Sequence, residues 1–241
     1  MNENEGPAGR PGGRERRHIL ADPRAAWQVL AESPYARIAL KAGRAFFPAL
    51  AESISPPENA WILDVGCGAG ELDVYLAERF PSTYVTGTDI SETRVRQAVR
   101  LSGKRLAANC SFVRAHPARL PFGEACFDTA VSVAALRYLE DPKRCLHEMR
   151  RVLVPDGRLF LFELDMEHDE AELGVLIAAI RASARGFSMQ ATGRQARKAM
   201  LEQGVSRQEA ADLAWSASLK DVATARLPGG LPVFVLTARR G

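Results

Sequence analysis

The stretch Asp64-Val65-Gly66-Cys67-Gly68-Ala69-Gly70 places a carboxylate just ahead of three glycines at alternate positions. Glycine tolerates positive φ and lets a ligand approach the backbone closely. The residues that follow favour a helix, whose first N–H groups lack partners within the helix and would face such a ligand. Without a ligand, the same pattern makes a tight strand-to-helix turn. About twenty residues further on, Gly87-Thr88-Asp89-Ile90-Ser91 ends an apolar run on an acid. At that spacing a carboxylate accepts hydrogen bonds from both hydroxyls of a ribose. Its plainer role would be to cap the next helix. Together the two motifs point to a cofactor containing adenosine, held across the carboxyl ends of two neighbouring strands. The dinucleotide fingerprint G-x-G-x-x-G would need glycine where Glu71 stands, which argues against NAD.

These motifs need a sheet to position them. Trp61-Ile62-Leu63-Asp64-Val65 is a short apolar run after the Pro56-Pro57 stop, as expected of a buried parallel strand. The spacing then predicts helix over 71–79, strand over 84–89, helix over 92–107 and strand over 111–114. It continues with strand over 127–133, helix over 143–152 opened by Asp141-Pro142, and strand over 158–164 after a Pro155-Asp156-Gly157 turn. The alternation is that of a doubly wound α/β sheet with right-handed crossovers. Helical stretches follow over 170–185, 194–202 and 207–219. Runs at 221–226 and 233–238 are joined by Leu227-Pro228-Gly229-Gly230, too short for a parallel crossover, so they are expected to form an antiparallel hairpin. Ahead of the first strand, residues 24–54 carry apolar positions at helical spacing, interrupted at Ser33-Pro34 and at Pro48.

The expected organisation is a disordered leader over 1–17 and one domain over 18–241. That domain divides into a helical cap (18–59), a cofactor-binding core (60–165) and a closing region of helices and hairpin (166–241). At 241 residues with 46% hydrophobic side chains, the chain can bury a full core. A formal net charge of +3 is too small to imply a nucleic-acid footprint. Cys67, Cys110, Cys126 and Cys145 include no C-x-x-C pair and no histidines at zinc spacing, so neither disulfides nor a metal site are expected and the cytoplasm is the expected compartment. No apolar run reaches membrane-spanning length.

From residue 61 to residue 163 the chain resembles the class I S-adenosylmethionine-dependent methyltransferases, in particular their type 11 branch. The resemblance rests on residues 63–70 and 89–91, and on Leu120-Pro121-Phe122, Cys126-Phe127-Asp128 and Leu136-Arg137-Tyr138-Leu139 with Asp141-Pro142. It also includes the run from Glu148 through Pro155-Asp156-Gly157-Arg158. It implies a Rossmann-like, seven-stranded sheet in the order 3-2-1-4-5-7-6 with the last strand antiparallel, and S-adenosyl-L-methionine as cofactor. Asp64, Gly66, Cys67, Gly68 and Gly70 would hold the methionine part of that cofactor and Asp89 with Ile90 the ribose. Ser132 and Val133 would lie near the transferable methyl, with strand packing as their ordinary alternative. The family's adenine-binding Asp-Ala pair is here His116-Pro117. Proline has no N–H to give, and a neutral histidine accepts through only one ring nitrogen. His116 and Pro117 are still expected to line the adenine pocket with altered contacts. Arg137, where relatives often carry histidine, is expected to be an exposed, neutral replacement.

The implied reaction is in-line displacement at the sulfonium methyl, in which the enzyme orients the partners and excludes water. A base is needed only if the nucleophile must lose a proton. Tyr35, His147 and His168 are the visible candidates, none singled out. Arg181, Arg185, Arg194, Arg197 and Lys198 make one closing segment basic, either to meet an anionic acceptor or as a solvated helix face. A small-molecule acceptor is the leading expectation. The alternatives are a cofactor-binding protein without turnover, suggested by His116-Pro117, and modification of RNA or protein.

Overall fold

The computed structural model describes residues 44–183 and 204–241. The leader, the helices expected before residue 44 and the helix expected over 194–202 lie outside the described residues. After a single 3-10 turn at Arg44–Phe46, helix α1 runs Phe47–Ile54 with Pro48 in its first turn. Sequence reasoning took Pro48 as an interruption, whereas in the first turn the missing N–H costs no helical hydrogen bond.

The central order is β1 (Trp61–Val65), α2 (Glu71–Arg79), β2 (Tyr84–Asp89), α3 (Glu92–Arg105), β3 (Cys110–Arg114), β4 (Phe127–Val133), α4 (Pro142–Val152) and β5 (Leu153–Leu164). Then come α5 (Glu170–Ser183), α6 (Arg207–Ser216), β6 (Leu219–Arg226) and β7 (Val233–Arg240). The strands form one sheet in the order β3-β2-β1-β4-β5-β7-β6. β1 to β5 pair in parallel and β7 runs antiparallel to both β5 and β6. This is the expected seven-stranded topology. The helices start on side-chain caps: Ser91 accepts from the Arg94 N–H, Asp141 from Arg144 and Ser206 from Glu209, each satisfying an orphan donor.

β5 departs from expectation by beginning at Leu153, directly after α4. Leu153 pairs with Phe127, and the next pair is Arg158 with Thr129, so Pro155-Asp156-Gly157 is a bulge inside a strand and not a turn before one. Asp156 takes φ 60° there. The extra residues leave the ladder and bend the strand without ending it.

Period-two alternation along the strands builds an apolar layer on each face of the sheet. Leu63, Leu159, Leu161, Phe234 and Leu236 join Leu146 and Met149 of α4 and Ala210 and Ala214 of α6. Ile62, Val85, Phe160, Phe162 and Val235 join Ile54 of α1 and Leu72 and Leu76 of α2. Each fully buried side chain of this size contributes about 1.5–3 kcal/mol. Beyond β5, buried Asp165 accepts from the guanidinium of Arg207, at 3.0 Å from its Nε, and fastens the strand's carboxyl end to α6. No helix among the described residues is long and apolar enough to cross a membrane.

Candidate functional site

The glycine turn hangs from the end of β2. The N–H groups of Gly66 and Cys67 both donate to the Thr88 carbonyl, at 2.8 and 2.9 Å, which fixes where β1 stops. Gly68 N–H donates to Asp89 Oδ2 at 3.0 Å, and Ser91 N–H to Asp89 Oδ1 at 2.8 Å. Gly66, Gly68 and Gly70 all have positive φ. Gly70 is the most constrained: at φ +74°, a Cβ there would lie 2.6 Å from the Phe112 ring and 2.7 Å from Ala98 Cβ. Only glycine lets α2 start this close to β3 and α3.

Asp89 therefore joins turn and strand with one N–H on each carboxylate oxygen, and lone pairs remain for further donors. Burial pushes its carboxyl above the usual range, against the pull of the Ser91 and Gly68 N–H groups. It is not the helix cap, since Ser91 fills that position for α3. Asp64 lies in register with Gly87 of β2, is 2% exposed, and has an Oδ1 without a donor. Cys67 is half-buried within the turn, and Ile90 is exposed just past β2.

The end of β4 faces the turn from the other side. Ala135 packs toward Gly66, where an added Cβ would approach it to 3.3 Å. This segment passes through positive φ at Ala134 and is held by a group that sequence reasoning missed, the Glu163 carboxylate. Glu163 Oε1 accepts from the N–H groups of Ala135 and Leu136 at 3.1 and 2.9 Å. It is 2% exposed, and burial raises its pKa to about 7 in spite of those two donors and nearby Arg137. The available signal was an acid inside the apolar run of a strand buried on both faces. Asp73, completely buried in the first turn of α2, was also missed. An acid in a first helical turn ordinarily faces water as a partner of the helix dipole, so nothing local marked it.

The other expected residues fall as follows. Ser132 is buried and its hydroxyl donates to the Val65 carbonyl at 2.7 Å, so that proton is committed to the sheet. Val133 is partly buried against the layer that contains Ile62 and Phe160. His116 is exposed and Pro117 half-buried just after β3. His116 Nδ1 accepts from the Ala118 N–H at 3.2 Å, which leaves the ring proton on Nε2. With Nδ1 engaged by the chain itself, Nε2–H is the ring group left to meet a ligand. Arg137 is exposed, as expected, but it is tied to the segment after β5. Its guanidinium donates to the Gly204 carbonyl at 2.5 Å and lies 3.6 Å from Glu209.

Among the candidate bases, Tyr35 lies outside the described residues and His147 is exposed on α4. His168 is half-buried in the segment after β5, at the carboxyl edge of the sheet. Its Nδ1 is 2.9 Å from the Asp165 carbonyl, which can only accept, so Nδ1 carries the ring proton and Nε2 the lone pair. Arg181 falls in the last turn of α5, while Arg185, Arg194, Arg197 and Lys198 lie outside the described residues. No cluster of three or more metal-ligating side chains occurs among the described residues. Hollows beside α6, one of about 100 Å³ bordered by Leu136, Arg137 and Glu209, include no residue of the glycine turn.

Residues 63–161 match the family model of the methyltransferase domain, type 11. The chain is 35% identical over 116 residues to the O-methyltransferase cnsE of Penicillium expansum, covering 48% of this chain and 42% of that protein. It is 38% identical over 114 residues to a malonyl-[acyl-carrier protein] O-methyltransferase of Geobacter sulfurreducens, covering 47% of this chain and 40% of that protein. The chain thus spans less than half the length of these relatives. A crystal structure of a SAM-dependent methyltransferase from Aquifex aeolicus has a similar fold, with a TM-score of 0.63 at 18% identity over 91% of this chain and 99% of that one.

Proposed function

We propose that this chain is a class I S-adenosylmethionine-dependent methyltransferase that binds that cofactor across the carboxyl ends of β1 and β2 and methylates a small-molecule acceptor. The observation that carries this reading is the Asp89 carboxylate, bonded to the Gly68 N–H of a turn that only glycine can form. The residues fit the group. Gly66, Cys67, Gly68 and Gly70 give a backbone cradle free of side-chain obstruction, with Asp64 beneath it. Asp89, beside Ile90, keeps lone pairs for a ribose. His116 and Pro117 would border the base: Pro117 has no N–H, and the His116 Nε2–H stands in as donor to a ring nitrogen of adenine. Ser132 and Val133 would floor the site near the methyl, Ser132 through its backbone position and not its committed hydroxyl.

When bound, the cofactor supplies a methyl group already activated by the sulfonium. The chain's contribution is orientation and dryness. Glu163 holds the Ala135–Leu136 turn beside Gly66, which fixes one wall of the site. His168 Nε2 is the group suited to take a proton from the acceptor. O-methyltransferases among the relatives support an acceptor oxygen. The four unpaired cysteines support a reducing, cytoplasmic setting.

Calorimetric titration with S-adenosylmethionine, S-adenosylhomocysteine and NAD tests the reading. Micromolar binding of the first two and none of NAD is expected. Failure of both to bind would refute it. Asp89→Asn should weaken binding at least tenfold, and His168→Ala should lower turnover while leaving cofactor affinity in place.

A further inference from the structure

Asp73 is a carboxyl group placed where a helix should carry an apolar side chain. It is completely buried, and an added Cβ at Gly87 would lie 2.5 Å from its Oδ1, so the side chain lies against β2 beside the strand neighbour of Asp64. Neither oxygen of Asp73, nor Oδ1 of Asp64, meets an N–H or O–H donor of another residue. The two carboxyl groups are buried side by side, Asp73 against Gly87 and Asp64 in register with that same glycine, so each alters the other's hold on a proton. The other titratable groups that face them are Asp89 from β2, Cys67 from the turn and Cys110 from β3. None of these brings positive charge. Two ionised carboxylates in this position would repel and would have no donor between them, since each can only accept. A single proton removes both difficulties, because one O–H then bonds the remaining carboxylate in a short, charge-assisted contact.

We propose that Asp73 is a positioning residue of the cofactor site: it carries the proton of an Asp73–Asp64 acid pair, and its O–H holds Asp64 as the single anion beneath the glycine turn, facing the cationic amino-acid end of the cofactor. The cofactor part rests on the function proposed above, whereas the shared proton does not. Burial first, then the charge of Asp89 on Asp64 and of Asp64 on Asp73, holds both carboxyls above the ordinary range, so the pair keeps its proton at neutral pH and takes a second one as the medium is acidified. The neutral pair then has no charge for the cofactor's ammonium, and affinity declines on the acid side.

Infrared difference spectroscopy of the ligand-free chain at pH 9, where Glu163 is ionised, tests the proton. The carbonyl band of a protonated carboxylic acid should be present in the wild type and absent in Asp73→Asn. Its absence from the wild type would overturn the pairing. Titration with S-adenosylhomocysteine between pH 6 and 9 tests the positioning. Asp73→Asn keeps a neutral donor toward Asp64 and should bind within about threefold of the wild type. Asp73→Leu removes the donor and should bind at least tenfold more weakly at pH 7, recovering toward pH 9 as Asp64 ionises. A Leu variant that matches the wild type at every pH, or a constant deficit across the range, would overturn positioning. If Asp73→Leu fails to fold, loss of affinity in folded Asp73→Asn would do so. A wild type that shows the band but binds no S-adenosylhomocysteine would refute the proposed function, and the positioning role with it, while leaving the acid pair intact.

Discussion

Replacing Glu163 with glutamine separates the charge of this residue from its shape. In the folded chain the carboxyl is completely buried and its pKa rises from 4.5 to about 7. The folded state thus holds this proton more tightly than the unfolded chain does. The stability conferred by the neutral acid is fully present below pH 4.5 and is lost as the pH rises through about 7. At 1.36 kcal/mol per pH unit, the largest change expected is about 3 kcal/mol. Glutamine has the same length and an amide oxygen to accept from Ala135 and Leu136, but it does not titrate. Stability from urea denaturation at pH 5, 6, 7 and 8 should fall more steeply for the wild type than for Glu163→Gln. The difference between the two should move in the variant's favour by about 2–3 kcal/mol across the series. Two curves that stay parallel would refute the claim that Glu163 is buried without a compensating cation. Glu163→Ala provides the contrast, because it leaves two N–H groups of the turn unpaired. It should destabilise the chain at all four pH values and loosen cofactor binding through the wall at Ala135.

Gly70→Ala should cost about 2–4 kcal/mol in chemical denaturation and abolish measurable cofactor binding, since the new methyl meets Phe112 and Ala98 at a backbone angle that L-residues avoid. Arg207→Ala should lower stability by about 2–3 kcal/mol, discounted for the partial exposure of the guanidinium, by leaving the buried Asp165 carboxylate without its cation; adding Asp165→Asn should return part of that loss. Pro117→Ala restores an N–H at the proposed adenine edge and should tighten S-adenosylhomocysteine binding about two- to tenfold in calorimetry. Unchanged affinity would place this segment outside the pocket.

What could be read from the chain depended on whether the deciding partners were local. The apolar runs at 61–65, 84–89 and 127–133 are closed by turn residues and fit only buried strands, so the parallel order followed from short connections. The hairpin at β6 and β7 followed from a loop too short to cross over. The glycine turn was legible because its requirement is conformational, and conformation is set by the residue itself. Pro155-Asp156-Gly157 carried equally strong turn signals, but pairing of Leu153 with Phe127 from another strand keeps the chain in the sheet and turns the same residues into a bulge. His116 was recognisable as a departure, yet its role as donor or acceptor is set by the Ala118 N–H and not by its type. Asp73 and Glu163 show the same dependence more strongly. One looks like a first-turn acid and the other like the end of an apolar strand. Their chemistry arises from burial against residues distant in sequence: Asp64 and Gly87 for one, Ala135 and Leu136 for the other. A charge at a position that the sheet must cover on both faces is thus the most useful anomaly to seek in such a sequence. Burial either removes the charge or requires a partner for it, and among the described residues no buried cation serves as that partner at Asp73 or Glu163.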